Sequence, residues 1–204
     1  MEQRSENRDN EFITIYRTFI KRDGADKLLD HLINKSDFFT APASSRFHSA
    51  FEGGLAAHSV NVFHRLVKLL ESEFGENWKN IFDPESVAIV ALLHDVCKID
   101  YYKLSYRNVK NEETGAWEKK PYFSVEDELP YGHGEKSVYI VSGFMRLTRE
   151  EAMAINWHMG GFDDRARAGS FTVGQAFYKY PLAALTHSAD FLATYMDENT
   201  EDNK

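Results

Sequence analysis

His94 and Asp95 stand side by side at the end of an almost wholly apolar run, Val87-Ala-Ile-Val-Ala-Leu-Leu93. That is a costly place for a carboxylate unless a cation holds it. No lysine or arginine lies inside the run to neutralise Asp95, which leaves a bound metal as the natural counter-charge. Four more ligand-type side chains, His58, His133, His158 and Asp190, lie in separate segments on either side. This is the distribution expected when several helices converge on one metal site. A lone histidine is more often structural than catalytic, so the set carries the reading and no single member does. Adjacent helical residues diverge by about 100°, so His94 and Asp95 can grip a metal from different directions only where a helix ends or becomes irregular. Asp95 could then bridge two ions.

The elements that must position these residues are helical. Phe12, Ile15, Tyr16, Phe19 and Ile20 recur at helical spacing, and after Gly24 a second amphipathic stretch carries Leu28, Leu29, Leu32 and Ile33. Residues 38–54, with Pro42 and Gly53-Gly54, read as an irregular loop leading to a helix from about Leu55 to Phe74, with His58 near its start. Asp83-Pro84-Glu85 is a helix start signal with an N-cap, proline at the first position and an acid in the first turn. It predicts a central buried helix from Pro84 to about Cys97. Gly132-His133-Gly134 opens another helix, Thr148 with Glu151 forms a capping box before His158, and Pro181 introduces a last helix carrying Asp190.

One stretch breaks the pattern. Around Glu112-Glu-Thr-Gly115, two segments rich in β-formers and cations predict a β-hairpin insertion over about 106–124. The expected architecture is therefore an all-α bundle with a hairpin insertion. Residues 1–10 and 197–204 are polar and read as disordered tails dispensable for chemistry, leaving one domain over 11–196.

Composition bounds the function. With 204 residues, 43% hydrophobic and 14% aromatic, the chain can bury a large core without disulfides or a structural zinc. A net charge of −8 argues against a broad basic surface for long nucleic acid and favours a small substrate. The single cysteine, Cys97, excludes an intrachain disulfide framework and fits a reducing compartment. The opening residues are not signal-like, and no apolar stretch is long enough to span a bilayer. The expected location is the cytoplasm, with no membrane partner.

Gly53-Gly-Leu-Ala-Ala-His58-Ser, Leu92-Leu-His94-Asp95-Val-Cys-Lys98, Gly132-His133-Gly, Asn156-Trp-His158 and Ser188-Ala-Asp190 together resemble the ordered ligand set of the HD-domain superfamily of metal-dependent phosphohydrolases. The match runs from about His48 to Asp190. Each short motif is weak alone, whereas five in order at agreeing helix positions are strong. The resemblance implies a one-metal core set of His58, His94, Asp95 and Asp190. Its wider variant adds His133 and His158 for a second metal, with Asp95 bridging, and this chain carries all six. Two ions a few ångströms apart suit phosphate-ester hydrolysis, because they generate a hydroxide nucleophile and clamp the phosphate. Imidazole and carboxylate ligands leave iron, manganese, zinc, nickel, cobalt or magnesium open as the metal.

Other residues are candidates for substrate contact. Lys98 matches the lysine that follows the doublet in many relatives, and reads equally as a phosphate contact or as a cation at a helix C-terminus. Cys97 stands where many relatives have glycine, and its position suggests packing rather than ligation. His48 resembles an upstream histidine of some relatives, with Arg46 a plausible phosphate partner nearby. His187 shares a helix face with Asp190, and Lys136 lies one turn into the helix after His133. The loop 160–164 could overhang the site. The hairpin's mixture of aromatics and cations could stack a base or seat a second protomer.

The leading expectation is a metal-dependent phosphatase or phosphodiesterase acting on a nucleotide, a cyclic nucleotide or a short oligonucleotide end. The same six-ligand pattern is similar to that of di-iron oxygenases in the superfamily, which is the alternative enzyme class. A non-catalytic nucleotide sensor is the third.

Overall fold

The computed structural model describes residues 2–45, 49–112 and 114–198. The candidate contacts Arg46 and His48, and the end of the C-terminal tail from residue 199, lie outside the described residues. The chain folds mostly as helices: α1 (Glu2–Phe19), α2 (Ala25–Asn34), α3 (Gly54–Phe74), α4 (Trp78–Ile81), α5 (Pro84–Leu93), α6 (His133–Ser142), α7 (Arg149–Asn156), α8 (Asp164–Arg167), α9 (Thr172–Lys179) and α10 (Pro181–Leu192). The hairpin strands β1 (Tyr102–Lys110) and β2 (Trp117–Val125) interrupt them. None of the described helices is long and apolar enough to cross a membrane.

The central helix is α5. Every residue from Val87 to Leu93 is buried, and α5 packs against α1, α3, α7 and α10. Its start is the one the sequence specifies, with the Asp83 side chain accepting from the Glu85 backbone N–H at 3.0 Å. Its end differs. The α-helix stops at Leu93, His94 and Asp95 form a turn, and a 3₁₀ turn follows over Val96–Lys98. The break falls on the candidate ligand doublet, where two neighbouring side chains would have to face one point.

Local signals elsewhere produce the expected elements. Thr148 and Glu151 form a complete capping box at the start of α7. The hairpin is antiparallel from Tyr102 opposite Val125 to Lys110 opposite Trp117, a few residues longer than the alternation suggests. It leaves Tyr106, Trp117 and Leu104 exposed.

Two expectations need correction, and a stretch for which no element was expected gains two short helices. Residues 1–10 were expected to be disordered, yet α1 begins at Glu2. This segment has no glycine or proline to stop a helix growing outward from the packed turn at Phe12. The stretch after Asp163 folds into α8 and α9, whose short polar turns give little periodicity to read. The polar end from residue 197 is not wholly dispensable in architectural terms. The chain continues past α10 as a π-helical turn, Ala193–Asp197, which carries Glu198 into the interior at 6% exposure.

Two glycines set distances that matter to the site. A Cβ on Gly134 would lie 2.1 Å from the Asn156 carbonyl oxygen, so only glycine lets the first turn of α6, with His133, close on the end of α7. Gly160 adopts φ +54° and lies against the His187 ring, where a Cβ would approach to 2.4 Å.

Candidate metal centre

Five segments deliver six side chains to one point. His58 comes from the first turns of α3, His94 and Asp95 from the break after α5, His133 from the first residue of α6, His158 from just after α7 and Asp190 from α10. Asp95 lies among the other five. Its Oδ1 is 2.8 Å from His133 Nε2 and 3.4 Å from His158 Nε2, while its Oδ2 is 3.6 Å from both His58 Nε2 and His94 Nε2. His58 Nε2 also lies 3.2 Å from Asp190 Oδ1 and 3.2 Å from His94 Nε2. Three overlapping ligand groups result: His58, His94 and Asp95; His94, His158 and Asp190; and Asp95, His133 and His158, each with donor atoms within 4.8 Å of one another.

The far sides of the rings explain why the Nε2 atoms point inward. His94 Nδ1 is 2.9 Å from the Ala91 carbonyl and His158 Nδ1 is 2.7 Å from the Ile155 carbonyl. A carbonyl can only accept, so each Nδ1 carries the proton and donates it, leaving the Nε2 lone pair facing the centre. His58 Nδ1 faces the Glu198 carboxylate at 2.9 Å. This is the arrangement that orients imidazole ligands toward a metal. His158 Nε2 supplies an independent sign, being a buried nitrogen without a hydrogen-bond partner among the described residues. Such an atom is costly unless something at the centre takes its lone pair. The donor set of imidazoles and carboxylates fits a divalent transition ion.

Burial and charge work against one another here. Burial pushes the His94 imidazole down to about 3, so it is neutral at any ordinary pH. Burial would also lower His58, but Glu198 and Asp190 outweigh it and raise that ring to about 10. At His133 burial is likewise outweighed, by Cys97 and Asp95, and the ring rises to about 10. Asp95 is held well below the usual carboxylate range, where burial is overcome by Lys98 and the surrounding histidines. In the metal-free chain at pH 7, His58 and His133 therefore carry protons that a metal must displace. Metal loading should release about two protons per chain, and affinity should rise with pH between 6 and 9. Calorimetry in buffers of differing ionisation enthalpy measures this, and loading without proton release would contradict it.

Lys98 corrects the argument that only a metal can balance Asp95. Its Nζ lies 2.6 Å from Asp95 Oδ2 and the side chain is buried. Burial would lower the ammonium, yet Asp95 holds it above its usual value. Lys98 lies outside the apolar helix, and the chain break folds it back. One ammonium does not account for four imidazoles around the same carboxylate, so the case for a metal rests on the ring orientations.

The remaining candidates separate. Lys136 is not at the centre: its ammonium binds Asp127 at 2.6 Å and lies over the Tyr101 ring at 5.1 Å. His187 does not line the cluster either. Its Nδ1 lies 2.6 Å from the His158 carbonyl, so it braces the backbone of a ligand, and its ring stacks on Phe177. Cys97 is buried, with its Sγ 3.5 Å from both ring nitrogens of His133 and 4.0 Å from Asp95 Oδ1, so its thiol touches two of the ligand candidates. The loop after His158 is pinned rather than loose. Arg165 binds Asp163, Glu135 and the Asn156 carbonyl and lies 3.9 Å from the centre of the Trp157 ring. The residues that the linear pattern missed are Glu198, Ser49 and Asn61. Only Asn61 left a signal, standing three residues after His58 on the same helix face.

Two of the six side chains are partly open to solvent. The His133 side chain is 31% exposed and that of Asp190 15%, whereas His58, His94, Asp95 and His158 are closed off. The exposed rings of Phe162, Phe191 and Tyr195 adjoin one another, with centroid separations of 6.5 Å and 4.6 Å.

The HD-domain family model matches residues 55–193, a span that holds all six ligand candidates. No curated protein matches the chain. No solved structure matches it either.

Proposed function

Because this chain belongs to the HD-domain family, a superfamily of metal-dependent hydrolases, we propose that it is a two-metal phosphohydrolase. Its substrate is a phosphate ester of a nucleotide, cyclic nucleotide or short oligonucleotide end. The observation that carries this reading is the division of ligands around Asp95. One carboxylate oxygen faces His133 and His158, and the other faces His58 and His94, which supports a bridging role between two ions. When bound, the ions supply an activated water and neutralise charge on the phosphoryl oxygens.

The chain's own groups do the rest. His58, His94, His133, His158, Asp95 and Asp190 would hold the ions, with acceptors behind the rings of His58, His94 and His158 fixing their tautomers. The Lys98 ammonium, buried beside Asp95, adds fixed positive charge that would act on an incoming phosphate. The mouth at His133 and Asp190 admits substrate. The adjoining exposed rings of Phe162, Phe191 and Tyr195 are the candidate stacking surface for a base. A reducing, cytoplasmic setting fits the single cysteine.

The test is elemental analysis of freshly purified protein, then a screen of nucleotide phosphate esters under anaerobic conditions with each divalent metal restored. Phosphate or phosphomonoester release is expected. Oxygen uptake by an iron-loaded enzyme without ester hydrolysis would replace this reading with the di-iron oxygenase. Nucleotide binding without turnover would replace it with the sensor.

A further inference from the structure

Glu198 follows the π-helical turn that extends α10, just beyond the residues that match the HD domain. Its backbone N–H closes that turn on the Ala193 carbonyl at 3.2 Å. Next to it, Asp197 is gripped by the Arg65 guanidinium from α3. The Glu198 side chain is thereby turned back against α3. There its Oε1 accepts from Asn61 Nδ2 at 3.0 Å and faces His58 Nδ1 at 2.9 Å, while its Oε2 accepts from Ser49 Oγ at 2.8 Å.

A carboxylate buried this deeply is retained only where its hydrogen bonds compensate for lost hydration. These three partners do so, and one of them is a metal-ligand candidate. The consequence lies on the other side of that ring. His58 Nε2 is 3.2 Å from Asp190 Oδ1, close enough for a proton on Nε2 to be donated to that carboxylate. A neutral His58 protonated there would present no lone pair to an ion. An acceptor fixed at Nδ1 selects the opposite tautomer and holds the ring plane.

We propose that Glu198 is the positioning residue for His58: it keeps the proton on Nδ1, aims Nε2 at the ion, and so makes the segment after α10 part of the metal site. The inference rests on the metal-centred reading above. Glutamine at this position keeps both geometric roles, since its amide oxygen accepts at the Oε1 position and its amide nitrogen reaches Ser49. It loses only the charge.

The test titrates Co²⁺ alone into the metal-stripped full chain, read by calorimetry and by the visible absorption of the bound ion. Thermal melting of each metal-free variant is followed beside it. Glu198→Ala should weaken Co²⁺ by about 100-fold and alter the absorption bands, and Glu198→Gln by about tenfold, within the range typical of partners behind a ligand. A folded Glu198→Ala protein that binds Co²⁺ as tightly as wild type, with the same spectrum, overturns the proposal. Should Glu198→Ala fail to fold, Glu198→Gln decides: a tenfold loss at an unchanged metal-free melting temperature supports the role, and unchanged affinity removes it. A wild-type chain that binds no metal overturns the metal-centred reading as well. A wild-type chain that binds and hydrolyses, beside a Glu198→Ala variant that does both equally well, removes only this inference.

Discussion

Asp95→Ala is expected to bind neither metal and to lose phosphate-ester hydrolysis by ~10³-fold or more, as about 4 kcal/mol of transition-state stabilisation by the ions disappears. Both halves of the ligand set lean on this carboxylate: its Oδ1 is 2.8 Å from His133 Nε2, its Oδ2 is 3.6 Å from His58 Nε2 and His94 Nε2, and Lys98 holds Oδ2 at 2.6 Å. The same substitution leaves a buried ammonium without its partner, so stability should fall by about 3–5 kcal/mol. The two effects separate in the double variant Asp95→Ala/Lys98→Met. Removing the orphaned charge should recover most of the stability, seen as a higher unfolding temperature, while elemental analysis still finds no metal. A single Asp95→Ala variant that retains metal and turnover would defeat the metal-centred account.

The second large effect concerns the number of ions. Wild-type protein should carry about two metals per chain, and His133→Ala about one, with turnover reduced by about 10²-fold or more because the remaining ion cannot clamp the phosphate from both sides. His133 is the informative position, since its side chain is the most exposed of the six ligand candidates and its removal opens no cavity in the core. The metal content of purified protein, measured for both forms with the same metal supplied, checks the claim. A wild-type stoichiometry of one that His133→Ala leaves unchanged would reduce the centre to the four-ligand set of His58, His94, Asp95 and Asp190.

Legibility in the sequence followed the range of the forces involved. The start of α5 at Asp83-Pro84-Glu85 and the Thr148–Glu151 capping box are short-range devices whose partners lie within a few residues, and both stand in the structure as read. The hairpin was legible because alternation and a glycine turn are local too. The ligand set was legible for a different reason: imidazoles and carboxylates in apolar surroundings are anomalous wherever they occur, and their order along the chain carries the family pattern. Lys136 shows the limit. Its position one turn after His133 suggested a contact with substrate, but the side chain is long, and Asp127 captured it from outside the helix. His187, three residues before Asp190, was expected near the substrate, yet its partner is the backbone of His158, fixed by the close approach of Gly160.

Residue type, periodicity and capping act over a few positions, and so the family, the helical class, the central apolar helix and the six candidate ligands were legible in the chain alone. Tertiary structure alone decided which nitrogen of each ring faces inward, that Lys98 folds back onto Asp95, that Lys136 pairs with Asp127, and that a glutamate from a polar tail stands behind His58. Each of these depends on a partner distant in sequence or on the course of the backbone, as with Glu198 and His58 at 2.9 Å across 140 residues. No local pattern in the chain encodes such a meeting.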